Sequence, residues 1–577
     1  MLLGRRLSPV RLIVYVFLLG VTVTFFSSLS PVPIPVPESA SASFEKVRNK
    51  GKEIFGPNLP SWYGPGAHKS PEPTNGTAST STWYEHWSWL NPFASSADYS
   101  ESRTVLPPLP PRCPIYAYYD KDIKASQQTH TDDVVMLAWR RAWWAAGFEP
   151  IILNPSDAKQ HGMYRKVKGQ LGKNQEKLEY NILRWLAWDR MGNGILSDFR
   201  IFPMPTNSDP VIPFLRRCDF GMTATRFRTL GSGIFAASAP VIKSVVKNIT
   251  STDLSKLPED RVSPAQIATD LFTVDEPPAS LAYYSTKNVA EKYKELQPSQ
   301  LPRLINAHLH THFQNQYPHG IYVLNAIKPD SDVLSLESYK VGQKLALCPE
   351  SPFPTSCPPN VKEGECKLCD GKMPVDLVKE YKNGTSAFTV GGIPHPMTLQ
   401  GFIYGRLVHE VSFVRKNSTR DVFLKVVTKD FAKEGTGAGY RAVKIKEVIA
   451  SSLSSVQDRM SGTGIVDSIW TSVEKGWDVK EIEWIMGFTF PETIPPSPHL
   501  NQDKAEVTKH TQIFEDAKHA VRAETKGLKR LRGAIESWSL GDFEVWKFVR
   551  AFEERRKSER AAYIKKEKGF GKGLERR

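Results

Sequence analysis

Three absences narrow what this chain can be. No His-Glu-x-x-His pattern occurs in its 577 residues, so the helix-borne zinc site of many metallohydrolases has no sequence support. Cysteine is absent before residue 113 and numbers six in all, which confines any crosslinking to the later chain. No charged side chain stands between Arg11 and Glu38. Within that gap, Leu12–Leu29 is one uncharged, largely apolar run just long enough to cross a bilayer. Arg5, Arg6 and Arg11 precede it, and the positive-inside rule then leaves residues 1–11 in the cytosol and the remainder in the lumen. A cleaved signal peptide is the alternative, but its apolar core is normally shorter and the Pro31–Pro37 run is a poor cleavage setting. Either way the body of the chain is expected in the secretory pathway.

What is present agrees with that address. Asn75, Asn248, Asn383 and Asn417 each open an N-x-[ST] sequon beyond the run, and are expected glycosylation sites. Cys113, Cys218, Cys348, Cys357, Cys366 and Cys369 form an even set, which favours disulfides in an oxidising lumen. The last four sit in a Pro-rich insert over 341–375, where a four-thiolate zinc knuckle is the competing reading. Hydrophobic and charged fractions of 40% and 24% are ordinary for a globular protein, and the length allows two or more domains. Net charge is +15, much of it from the final stretch, so it says little about the core. Residues 30–112, rich in Ser and Pro, read as a stem, with Trp83, Tyr84, Trp87 and Trp89 able to dock on a folded part.

The folded part is expected from Cys113. Ile115–Tyr119 reads as a strand, Thr131–Ala146 as a helix and Pro150–Leu153 as a second strand, a βαβ unit with parallel neighbours. Asp132 and Asp133 suit the positive end of that helix; Trp143 and Trp144 are expected in the core, and Arg140 and Arg141 on a solvated face. The next helix runs from Leu178 to Met191 and stops at Gly192-Asn193-Gly194. A short strand, Ile195-Leu196, then delivers Ser197, Asp198, Phe199 and Arg200. An acid at a strand's carboxyl end sits where an α/β sheet opens its cleft, although Asp198 could equally cap a turn.

The Leu178–Met204 stretch resembles the sugar-transferase family with a DXD motif, which includes initiating mannosyltransferases of N-glycan outer chains and capsular polysaccharide transferases. Arg184 matches the family's helical Arg, Asn193-Gly194 its Gly pair, and Asp198 the first Asp of the motif. Asn181 stands where the helical acid belongs, and Arg200 replaces the second Asp, the usual metal ligand. The resemblance spans roughly 113–320 and implies a GT-A-like nucleotide-sugar-binding mixed sheet flanked by helices, over 113–340. It implies a nucleotide-sugar donor, with Asp198 on its ribose or sugar, Arg184 orienting that acid or holding the donor, and Asn181, Ser197 and Gly194 beside the donor. Arg200 would bring positive charge to the diphosphate directly, so Mn2+ or another divalent metal becomes dispensable. The segment from Gly231 resembles the family's small-residue strand and following helix, which puts Gly231 and Gly233 on the acceptor side.

His308, His310 and His312 share one face on a strand, whereas on a helix only His308 and His312 align. A metal or pyrophosphate role for His308 or His310 competes with ordinary hydrogen-bonded core histidines. Beyond the Cys-rich insert a second, smaller α/β region is expected over 376–500: strand Ala387–Ile393, helix Thr398–Leu407, strand Glu410–Arg415, helix Val422–Phe431 and strand Ile482–Phe490. Residues 501–577 read as a basic helical tail, which in a lumen is a solvated helix or meets anionic glycan or lipid rather than nucleic acid. The resulting expectation is a single-pass Golgi or endoplasmic reticulum transferase acting on a glycan or glycoprotein. An inactive relative that binds glycans or partners a Golgi transferase complex is the alternative.

Overall fold

The computed structural model describes residues 66–71, 106, 112–121, 129–171, 175–206, 209–257, 263–327, 332–361, 366–382, 386–405, 407–416, 420–430, 432, 437–451, 468–474, 476–494 and 504–568. All belong to one compact unit, residues 65–577. The apolar run at 12–29, the aromatic cluster of the stem, and Asn75, Asn383 and Asn417 lie outside the described residues. Among the described residues no helix is long and apolar enough to cross a membrane.

The first sheet has the order β2-β1-β3-β6-β5-β7. Its parallel part is β1 (Cys113–Tyr118), helix α1 (Thr129–Ala145), β2 (Phe148–Leu153), helix α2 (Glu176–Met191) and β3 (Gly194–Ser197). β1 pairs in parallel with β2 and with β3, as the βαβ pattern requires. Two-residue alternation along β1 splits the core. Ile115 and Ala117 face the cluster holding Trp139 and Trp143 of α1, while Tyr116 and Tyr118 face the cluster holding Leu183 and Trp185 of α2. Gly194 opens β3 at φ +143°, where an added Cβ would stand 2.6 Å from the Pro114 carbonyl oxygen. Only glycine lets the two strands close there.

Beyond β3 the chain turns through β4 (Ile201–Pro203) and helix α3 (Val211–Arg217) into β5 (Ala224–Phe227) and β6 (Ile234–Ala237). β6 runs antiparallel to β3 and carries the helix α4 (Ala239–Ser251) after it, as expected of the small-residue strand. β7 (Phe272–Asp275) completes the sheet beside β5, and β8 (Leu281–Tyr283) pairs antiparallel with β4. The disulfide Cys113–Cys218 ties the start of β1 to the end of α3.

A second sheet, order β10-β9-β11-β12, is wholly parallel. It is built from β9 (Ile321–Leu324), β10 (Val375–Val378), β11 (Phe388–Ile393) and β12 (Ser468–Ser472), with the long helix α5 (Leu301–Gln316) leading in and α6 (Asp332–Ala346) crossing from β9. The sheet thus begins before residue 340, inside the span expected to hold the first domain. The insert between α6 and β10 is held by Cys348–Cys369 and Cys357–Cys366, so its four cysteines are disulfides and not a zinc knuckle.

Two expected strands are helices. Of Glu410–Arg415, all but Glu410 lies within the helix Val411–Lys416. Ile482–Met486, the first part of the expected strand Ile482–Phe490, belongs to helix α8 (Val479–Met486), where Asp478 caps the Glu481 N–H and Gly487 at φ 85° ends it; Gly487–Phe490 is neither helix nor strand. Helix α7 (Pro396–Ile403) follows β11 as expected. The basic tail is not merely a solvated appendage. Helices α9 (Lys504–Arg522) and α10 (Lys526–Trp538) pack beside Met397, while α11 (Leu540–Glu567) packs on the second sheet, with Phe543, Trp546, Phe548 and Phe552 buried in its core.

The end of α11 also reaches the first sheet. Tyr563 stacks on Trp144 at 4.7 Å, and Arg140, expected on a solvated face, is fully buried with Nη2 3.6 Å from Glu567. Arg141 is buried too, beside Trp484. The burial follows from α8 and α11 covering the face of α1 that the sequence pattern left to solvent. His68, from the segment 66–71, lies in the same group, with its Nδ1 3.0 Å from Asp157 and Nε2 3.5 Å from Glu567.

Candidate functional site

The carboxyl ends of β1 and β3 gather the charged side chains. Asp198 follows β3 directly, its backbone N–H held by the Gly233 carbonyl at 2.6 Å. The carboxylate then folds back into an Asx turn: Oδ1 accepts the Arg200 N–H at 2.9 Å, and Oδ2 accepts the Tyr283 O–H at 3.3 Å. The turn chemistry and the placement at the sheet edge are therefore both present. Tyr283 arrives by pairing of β8 with β4, Ile201 opposite Tyr283. Its hydroxyl is held well above the usual phenol range, first by the negative charge of Asp198 and then by burial.

Two guanidinium groups flank this acid. Arg184, on α2 and only 5% exposed, donates Nη1–H to the Ser232 carbonyl at 3.0 Å and to Asn181 Oδ1 at 3.4 Å. Its Nη2 is buried with no partner among the described residues. Arg200 spans to Asp132 at the start of α1, Nη2 to Oδ1 3.3 Å, and to Thr286 Oγ1 at 3.1 Å, while its Nε is likewise buried without a partner. Tyr180 stands among them: burial chiefly raises its hydroxyl, and Arg184, Asp198, Arg200 and Asp120 all act on it. Its O–H donates to the Tyr118 carbonyl at 2.8 Å, closing β1 onto α2. Buried Asp120 just after β1, with Tyr118 O–H 3.5 Å away, completes the edge.

Of the residues singled out in the sequence, Asn181, Arg184, Ser197, Asp198, Arg200, Gly231 and Gly233 come together here. Ser197 is buried and donates Oγ–H to the Asp198 carbonyl at 3.0 Å, so it braces the turn. Gly231 sits at φ 54° with nothing within 4 Å of an added Cβ, open as an acceptor approach would need. Gly233 differs, since its Cβ would meet Ile201 Cδ1 at 2.8 Å and Tyr283 at 3.0 Å; packing within the protein accounts for it. Gly194 stands apart from the donor side. It lies at the amino end of β3, the opposite end of the strand from Asp198, pressed on Pro114.

The histidines do not converge either. α5 is a helix, and each imidazole is engaged separately: His308 with Tyr284 O–H and Ser356 Oγ, His310 with the Leu345 carbonyl, His312 with the Pro205 carbonyl. Burial lowers His308 to about 3 and His310 to about 4, so both are neutral core residues. Among the described residues no group of three His, Cys, Asp or Glu could hold a metal ion. Asn248 is half-buried on α4, and Thr250 of its sequon is buried.

Asp132, Tyr180 and Tyr283 are the residues of this candidate site that the sequence alone did not single out. Asp132 reads as an ordinary first-turn acid, and Tyr283 reaches Asp198 across 85 positions, a separation that no local pattern encodes.

The domain family described as "Domain of unknown function (DUF8765)" matches residues 77–577. No curated protein and no solved structure matches the chain.

Proposed function

We propose, for a chain that belongs to the DUF8765 family, a glycosyltransferase activity that moves a sugar from a nucleoside-diphosphate sugar to a glycan or glycoprotein. The observation that supports it best is the pair of buried, unpartnered guanidinium donors, Arg184 Nη2 and Arg200 Nε, flanking Asp198 at the carboxyl edge of parallel strands. As the glycosidic bond breaks, negative charge grows on the leaving diphosphate, and preorganised donors in a poorly hydrated site stabilise it. A guanidinium fork matches phosphate oxygens in shape as well as charge. In this reading Arg184 and Arg200 take the diphosphate, and Asp198 accepts hydroxyls of the donor's ribose or sugar. Tyr283 and the Arg200 N–H fix the direction of that acid, and Gly231 leaves the acceptor side open. Because Arg200 stands where a metal-binding acid would, the transfer proceeds without a divalent ion. The setting is luminal, behind a Golgi-type membrane anchor formed by residues 12–29.

One observation favours a second reading, a non-catalytic glycan-binding or complex-partner protein. Both Asp198 oxygens are already engaged within the protein, and Arg200 is paired with Asp132. A thermal-shift screen of nucleotide sugars on the purified protein, with and without manganese, separates the two. The transferase reading expects a rise in melting temperature with at least one donor, indifferent to manganese and absent in Asp198→Ala. No rise with any donor transfers support to the glycan-binding reading.

A further inference from the structure

The parallel sheet reverses its winding between β9 and β11, because the chain leaves β9 for β10 on one side and returns to β11 on the other. Open α/β sheets take ligands beyond the carboxyl ends of strands at such a reversal. The three strands β9, β11 and β12 each bring a buried polar side chain to that edge. Asn325 directly follows β9, His395 comes two residues after β11, and Ser472 ends β12; all are at most 1% exposed. Asn325 Oδ1, His395 Nε2 and Ser472 Oγ have no hydrogen-bond partner among the described residues. Buried polar atoms are almost always paired, so three orphans on one edge need a cause.

Their chemistry is specific. His395 Nδ1 accepts the Met397 N–H at 3.0 Å, so the neutral ring carries its proton on Nε2 and is a donor there. Burial, then the charges of Arg532 and Arg550, keep that ring neutral, down to about 3. Ser472 Oγ–H is a second donor. The nearby Glu553 carboxylate is already taken by Thr471 Oγ1–H and the Ser472 backbone N–H. Glu474, two residues past Ser472, is half-buried, with Oε1 out of reach of solvent. Around it stand Trp546, Arg550, Arg522 and Lys518, and burial lifts its carboxyl to about 7 despite these cations.

We propose that this edge binds a phosphate-type oxyanion, with His395 Nε2–H and Ser472 Oγ–H as donors, Arg532 and Arg550 as the balancing charge, and Asn325 Oδ1 accepting a ligand hydroxyl. The site is separate from the Asp198 edge and does not depend on the transferase reading. The test is the thermal unfolding of the full chain with inorganic phosphate against sodium chloride of equal ionic strength. Glycerol 3-phosphate in parallel distinguishes a free ion from an esterified one. A saturating rise is expected with one or both probes. Ser472→Ala, which removes one oxygen and leaves the packing intact, should weaken the response at least several-fold. His395→Phe, which keeps the ring against Phe543 and Trp546, should abolish it. If His395→Phe does not fold, Ser472→Ala decides alone. No response above the chloride control overturns the site. So does a response kept in Ser472→Ala or lost instead in Arg184→Gln, which would put the anion at the other edge.

Discussion

His68 joins a segment far from the carboxyl terminus in sequence to the last helix, and its titration gives that link a measurable strength. The imidazole is 3% exposed; its backbone N–H donates to Asp157 Oδ1 at 2.7 Å and its ring faces Asp157 and Glu567. Arg190 lies 3.3 Å from Asp157, and Arg140 3.6 Å from Glu567, completing the group. Burial by itself lowers the imidazole, but hydrogen bonds and charge from Asp157 and Glu567 outweigh it and raise the value from 6.5 to about 9. At about 1.4 kcal/mol per pH unit, protonated His68 contributes about 3 kcal/mol to folding. The raised value fixes the sign: this stability is fully present below pH 6.5 and is lost as pH rises through about 9. Denaturant unfolding of the full chain and of His68→Gln at pH 6 and pH 10 reads it. The gap between the two proteins should be about 3 kcal/mol at pH 6 and should shrink markedly by pH 10. A gap of equal size at both pH values would refute the claim that the charged imidazole is what holds the segment.

Two further substitutions probe the two ends of β3. Gly194→Ala should cost about 3 kcal/mol of stability, since the new Cβ meets the Pro114 carbonyl at 2.6 Å in a positive-φ position; an unchanged denaturation midpoint contradicts that. Tyr283→Phe removes the hydroxyl that steers Asp198 and should weaken donor binding by about 1.5–3 kcal/mol, read by calorimetry, whereas an unaltered affinity makes the Tyr283 contact incidental.

The first sheet was largely legible in the sequence because its elements are local. The βαβ pattern, the Gly-rich stop after α2 and the acid after β3 are each readable within a few dozen residues. The failures have separate causes. Arg140 and Arg141 are polar residues on a helix face, and only the arrival of α8 and α11, hundreds of residues later, buries them. Ile482–Phe490 is apolar and short, a length at which strand and helix patterns coincide, and the decision was left to Asp478 and Gly487 at its ends. Gly194 matched a motif position, yet its need is steric and local to β1. At the candidate site, Asp198 could be read from its place after β3, and Arg184 and Arg200 from resemblance to a known motif. Tyr283 and Asp132, which aim them, depend on long-range pairing.

The central claim is that two arginines rather than a metal hold the diphosphate beside Asp198. Calorimetric titration of wild type, Arg184→Gln and Arg200→Gln with the donor found by the screen, each in EDTA and in manganese, tests it most directly. The account predicts wild-type binding of equal strength in both buffers and at least a tenfold loss in either variant. Binding that requires manganese, or that survives both substitutions unchanged, would contradict it.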